Sequence, residues 1–216
     1  MTVQQFTWTI GRWYMGGPTK LFTRARAYGR DRVPTVGGLV YAANHMHWID
    51  IPTLGALSPR NVSFVAKSEV LEFPGLGRFV GWHGTIAVRR GASDRDAVRL
   101  MRETARLGGV VGLFVEGTRL KLGRPGPAQP GAAMVASQEH VPVIPIAIYG
   151  TQFWKPGNFA PCSVAFGEPV TFEGLPKGGR GYKEATAEVE RRINVLFDWL
   201  AEIHRQGRPK GAVPPL

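Results

Sequence analysis

Two imidazoles and a carboxylate crowd into YAANHMHWID, residues 41–50, where His45, His47 and Asp50 follow directly on a short apolar run. Those residue types suit three chemistries. The histidines and the aspartate could ligate a metal, His45 and Asp50 could work as a proton-accepting pair, or Asn44 or His45 could simply end a strand while Asp50 sits at a helix start.

The metal reading weakens on inspection. A His-x-His-x-Asp-His site requires a ligand two residues after His47, and Ile49 stands there. Elsewhere only His83, His140 and His204 remain, in no recognisable ligand pair, so no metal is expected. A metal-dependent hydrolase built on His45, His47 and Asp50 stays the alternative enzyme.

His-x-x-x-x-Asp reads differently. An imidazole with an ordinary pKa of about 6.5 accepts a proton at neutral pH, and a carboxylate behind it fixes the tautomer and stabilises the imidazolium. If residues 47–50 begin a helix, Asp50 folds back toward His45. Such a pair needs no protein nucleophile when the substrate itself brings a hydroxyl.

Further stretches follow in order: AKSEVLEFPGLGRFVGWHGTIAVRRG, LFVEGTR and VPVIPIAIYG. With NHMHWID they resemble the four blocks of the glycerolipid acyltransferases of the lysophosphatidic acid acyltransferase type. Those blocks are Asn-His-x-x-x-x-Asp, a lysine and Pro-Gly-x-Gly before Gly-x-Ile-x-Val-x-Arg-Gly, Phe-Pro-Glu-Gly-Thr-Arg, and Val-Pro-Val-x-Pro-Val. The likeness covers residues 41–150, about half the chain.

The resemblance implies transfer of a fatty acyl group from a thioester, acyl-CoA or acyl-carrier protein, to the free hydroxyl of a lysophospholipid, most simply 1-acyl-sn-glycerol-3-phosphate to phosphatidic acid. His45 is then the general base and Asp50 its orienter. Glu116, Gly117, Thr118 and Arg119 follow an apolar strand, so they belong at its carboxyl end. There Arg119 can hold a phosphate, Gly117 admits a close approach, and Glu116 orders either Arg119 or the glycerol hydroxyls. Arg90 matches the family arginine before glycine, and Lys67 is either a phosphate ligand or a surface lysine. No cofactor is implied. Three positions depart from the pattern: His47 for serine, Val115 for proline and Gln129 for lysine.

These residues need a scaffold. The 216 residues, 44% apolar and 20% charged, suit one well-packed domain. Short β-prone runs, NVSFVAK, GTIAVRR, VVGLFVEG, VPVIPIAIYG and SVAFGEPVTF, alternate with helical ones. The helices include DIPTLGAL, SDRDAVRLMRETARLG with a Ser93 cap, PGAAMVASQEH, and a last amphipathic one carrying Val189, Ile193, Leu196, Phe197, Leu200 and Ile203. The pattern predicts an α/β domain with a mostly parallel central sheet and helices on both faces, glycerol-3-phosphate acyltransferase-like by the resemblance. Three segments are expected: a membrane-associating stretch at 1–32, the acyltransferase domain at 33–206, and a flexible tail at 207–216.

A net charge of +11 points to a polyanion. Phe6, Trp8, Ile10, Trp13, Tyr14 and Met15 precede Lys20, Arg24, Arg26, Arg30 and Arg32. That order suits an interfacial segment on anionic lipid, or else aromatics packed on the core beneath a solvated arginine face. A nucleic-acid-binding protein is the alternative from the charge, but no such motif is present and no nucleic-acid partner is expected. No run reaches the roughly 18 apolar residues of a membrane span, so the expected place is peripheral, on the cytoplasmic face of a membrane. Cys162, the single cysteine, reads as a core residue.

Overall fold

Why LVYAA should sit at the centre is clear from its composition: a strand with both faces covered has no use for polar alternation. In the computed structural model, which describes residues 16–67, 85–88, 95–120, 122–176 and 178–216, this strand is β2, Leu39–Ala43, and all five residues are buried. The other strands are β1 (Arg26–Tyr28), β3 (Val62–Lys67), β4 (Ile86–Val88), β5 (Val110–Phe114), β6 (Val143–Tyr149) and β7 (Ser163–Phe166). Their order in the sheet is β1-β7-β6-β2-β5-β3-β4. The strands from β6 to β4 run parallel; β7 is antiparallel to β6, and β1 follows β7.

Among the described residues, five α-helices accompany the sheet. They are α1 over residues 16–23, α2 (Asp50–Leu57), α3 (Arg95–Arg106), α4 (Gly131–Glu139) and α5 (Gly179–Arg205). Side chains alternate across a strand, and the core divides accordingly. Leu39, Tyr41 and Ala43 join Leu54 and Leu57 of α2 on one face. Val40 and Ala42 join Met101 of α3, Val135 of α4 and Val189 and Ile193 of α5 on the other. The expected layered architecture is therefore present, with α2 alone opposing the α3–α5 layer on these core contacts. Gly38 allows the sheet to approach α3, since a Cβ there would lie 2.0 Å from the Ala105 carbonyl oxygen.

The run SVAFGEPVTF is shorter as a strand than its sequence implies. The strand ends at Phe166, although the Gly167 N–H still donates to the Pro145 carbonyl at 2.9 Å, an approach that a Cβ at Gly167 would crowd, and an isolated bridge joins Val170 to Val143.

The segments flanking the domain also differ from expectation. Residues 1–15, with their aromatics, and Ser93 lie outside the described residues. Of the basic run, Arg26 belongs to β1, and Arg32 reaches Glu168 at 2.9 Å. The tail expected to be loose is pinned. Arg32 donates to the carbonyls of Pro214 (2.6 Å) and Leu216 (2.9 Å), and the Glu168 N–H also donates to Leu216. Arg26 donates to the Arg208 carbonyl, while the Arg208 guanidinium donates to the carbonyls of Arg24 and Cys162. Proline and glycine deny the tail a helix or strand, but its carbonyls still accept, and nearby arginines supply the donors.

Candidate active site

β2 and β5 are neighbours, yet the helices that follow them pack on opposite faces: α2 after β2, α4 after β5. The two loops must part at the carboxyl edge. Such a divergence opens the crevice where open α/β sheets bind ligands. His45 stands on one lip and Glu116 to Arg119 on the other.

Asn44 anchors the first lip. Its carboxamide donates to the Ile148 carbonyl at 3.0 Å and accepts from the Ile148 N–H at 2.7 Å, extending the β2–β6 pairing through a side chain. The chain then turns into α2, whose first residue is Asp50. His45 Nδ1 and Asp50 Oδ2 are 2.9 Å apart, with the aspartate wholly buried and the imidazole 12% exposed. The same oxygen accepts the N–H groups of Met46 (2.7 Å) and His47 (2.8 Å). With the hydrogen on Nδ1 facing that oxygen, Nε2 keeps its lone pair. Asp50 Oδ1 and the Thr53 hydroxyl, both buried, have no hydrogen-bond partner among the described residues.

Aromatic packing sets the ring plane. His45 lies over Phe114 with centroids 4.1 Å apart, and Phe114 stacks in turn on Phe64 at 6.1 Å. Gly112 is required here because a Cβ would come within 2.8 Å of the Phe64 ring. Phe114 is the phenylalanine of the LFVEGTR block, whereas Phe64 falls outside the motif pattern. Phe114 closes β5, and Phe64 lies within β3.

Glu116 ties the two lips together through main-chain hydrogen bonds. Its carboxylate accepts the His45 N–H at 2.6 Å and the Gly126 N–H at 3.3 Å, bridging the two lips, and no ion pair to Arg119 occurs among the described residues. The Leu120 N–H closes the same bridge onto the His45 carbonyl at 3.0 Å. Burial raises the Glu116 pKa to about 7, against the lowering effect of its backbone hydrogen bonds. Because the folded value lies above the unfolded one, this group favours the fold below about pH 4.5 and that contribution is lost as pH rises through about 7. Glu116→Gln removes this dependence, so thermal melts between pH 5 and 8 should become flatter than those of the wild type by several degrees.

Gly117 adopts φ +67°, a left-handed turn that exposes Thr118 and Arg119 beside the crevice. Lys67 closes β3. Arg90 lies outside the described residues. Of the family departures, Val115 is buried, and Gln129 is exposed with its N–H on the Val115 carbonyl at 2.7 Å.

His47 does not converge with His45. Its ring packs near Trp48 and Trp154, at 5.7 and 5.9 Å, and its Nδ1 accepts the Ile49 N–H at 3.4 Å. Burial lowers its pKa; Asp50 opposes this, while Arg119 and His45 add to it. Among the described residues no group of three or more His, Cys, Asp or Glu side chains is placed to hold a metal ion.

A protein-family model described as Acyltransferase matches residues 24–149. The 1-acyl-sn-glycerol-3-phosphate acyltransferase of Bacillus subtilis (strain 168) is 26% identical over 186 residues, 82% of this chain and 90% of that protein. The chloroplastic 1-acyl-sn-glycerol-3-phosphate acyltransferase BAT2 of Brassica napus is 35% identical over 114 residues, 52% of this chain but only 33% of the plant protein. The chain thus spans about a third of that relative's length. The crystal structure of the 1-acyl-sn-glycerophosphate (LPA) acyltransferase PlsC from Thermotoga maritima shares the fold, with TM-score 0.72 and 22% identity over 88% of this chain and 79% of its own. With a family match that takes in most of the sheet and both lips of the crevice, over more than half its length, the chain belongs to the acyltransferase family.

Proposed function

We propose that the protein is a 1-acylglycerol-3-phosphate O-acyltransferase, moving a fatty acyl group from a thioester to the free hydroxyl of a lysophospholipid. The observation that carries this reading is the contact of His45 Nδ1 with buried Asp50, which leaves Nε2 to act on substrate. The acceptor hydroxyl gives its proton to Nε2 as its oxygen attacks the thioester carbonyl. When the C–S bond breaks, the imidazolium returns that proton to the departing thiolate. Asp50 stabilises the imidazolium in between. No protein nucleophile takes part.

Arg119, exposed beside the crevice, is the phosphate ligand of this proposal, with Thr118 and the Gly117 backbone adjacent. Lys67 and Arg90 enter the headgroup site on the family resemblance. The relatives' names support the lysophosphatidic acid acceptor. The donor is acyl-CoA or an acyl-carrier protein. Purified protein in detergent, given a panel of lysolipids and both donors, should release one thiol per lipid acylated, with phosphatidic acid identified by mass spectrometry. Thiol release that stays at background with every acceptor would defeat the proposal.

A lipid substrate calls for contact with a membrane. No helix of the described residues is long and apolar enough to cross one. Around the His47 side of the crevice, Leu21, Phe22, Trp48, Phe153 and Phe159 are exposed, and Phe22 stacks on Phe159 at 5.8 Å. Aromatic side chains of this kind settle at headgroup depth, and we place the protein peripherally on the cytoplasmic face of an anionic membrane. Replacing Trp48 and Phe159 together by serine should weaken flotation with phosphatidylglycerol vesicles at least tenfold, since each buried aromatic contributes about 1.5–3 kcal/mol. Unchanged flotation would remove this surface from the account.

A further inference from the structure

The face opposite α2 carries a charge pattern that acyl transfer at His45 does not use. Arg95, Arg99, Arg102 and Arg106 follow one another along α3 at steps of four, three and four, which places them in one stripe. The stripe lines a groove of about 760 Å³ against α4, where Met134 forms part of the floor and Glu103 and Glu139 are the carboxylates. Arg102 pairs with Glu139, and Arg99 meets Asp96 at 3.6 Å with both side chains largely exposed. Arg95 and Arg106 have no ion-pair partner among the described residues. Net positive charge thus remains along the groove.

Two geometrical facts limit what can lie there. The exposed aromatics cluster with α1 and α2, and α1 itself packs on α2 through Gly16 and Ala56, whereas the stripe belongs to the opposite layer. A membrane bound by the aromatics leaves the arginines turned toward solvent. Moreover, α3 connects the parallel strands β4 and β5, so it runs back along the sheet and Arg95 lies at the carboxyl edge that carries His45. From there the stripe descends about 16 Å at 1.5 Å per residue. That is the length of an acidic helix rather than of one phosphate cluster.

We propose that the α3–α4 groove docks a soluble acidic carrier protein that bears the acyl thioester on a flexible arm, and that the stripe holds the carrier while the arm reaches the crevice past Arg95. This rests on the acyltransferase reading for its donor. Charge complementarity carries the docking itself. Free coenzyme A, a lipid surface and nucleic acid are the competing anions.

The test separates docking from chemistry. A bacterial acyl-carrier protein lacking its arm, fluorescently labelled, is titrated with the full chain at physiological salt and read by anisotropy. Wild type and H45A should bind alike, because docking does not use the imidazole, while only the wild type transfers acyl groups. R95E/R99E should bind at least tenfold more weakly. Its new acids fall in the early turns of α3, where the helix dipole favours them, and an unchanged circular dichroism spectrum confirms the fold. R106E, at the far end, should weaken binding as well, and R95K/R99K should stay within threefold of wild type. Absence of carrier binding to the wild type, or equal binding by R95E/R99E, overturns the proposal. So does displacement of the armless carrier by coenzyme A, phosphatidylglycerol vesicles or duplex DNA at equal phosphate. Docking that persists with no acyl transfer from any donor would instead sink the acyltransferase reading and leave the surface standing.

Discussion

His45→Ala should reduce acyl transfer by about 10²–10⁴-fold, the usual worth of a positioned general base, and leave the protein folded. The imidazole makes one side-chain hydrogen bond, to Asp50, and that carboxylate keeps the Met46 and His47 N–H groups when the ring is removed. The loss should fall on kcat, because the proton is in flight only in the transition state, and KM for either substrate should change little. Initial rates of thiol release at saturating acceptor measure this directly. His47→Ser is the paired control. His47 packs on two tryptophans and uses Nδ1 to receive the Ile49 N–H, a bond that a serine hydroxyl at the same turn can replace. It should keep most of the activity. Equal losses in the two variants would place both imidazoles in the chemistry and revive a metal site.

Asp50→Asn should cost about 10³-fold in kcat and also lower stability by about 1–3 kcal/mol. The amide oxygen can keep the three donors that Oδ2 now accepts, yet the negative charge facing the imidazolium disappears. In addition, the NH₂ group must occupy the position of Oδ1, which is buried and has no hydrogen-bond partner among the described residues, so two new donors are stranded there. Urea unfolding followed by tryptophan fluorescence, run beside the kinetic assay, separates the two effects. Full activity in Asp50→Asn would mean that the carboxylate only shapes the turn, as an ordinary residue at a helix start does.

Much of the site could be read in the residues themselves. The five-residue interval from His45 to Asp50 works because β2 ends at Ala43 and α2 begins at Asp50, so the intervening turn returns the acid to the ring. Both boundaries are local and leave local marks. The periodicity of α5 was equally plain: Val189, Ile193, Leu196, Phe197, Leu200 and Ile203 are all buried. Glu116 was expected to order either Arg119 or the glycerol hydroxyls, and the bond the structure shows is another one. Its carboxylate serves the backbone of His45, distant by 71 positions in the chain, and no motif records a bond to a main-chain N–H.

By itself, then, the sequence determined the spacing of His45 and Asp50, the alternation of strands and helices, and the family, because each is written in residue types at short range. Tertiary structure decided which strands are neighbours and hence what faces what. The β2–β5 pairing brings Phe114 beneath His45 and Glu116 across to its backbone. The tail shows the same division in reverse, since proline and glycine foretold an irregular chain but not the arginines from β1 and its neighbourhood that hold its carbonyls. Hydrogen bonds to main-chain atoms depend on where distant segments lie in space, and that position follows only when the whole sheet has buried its apolar faces.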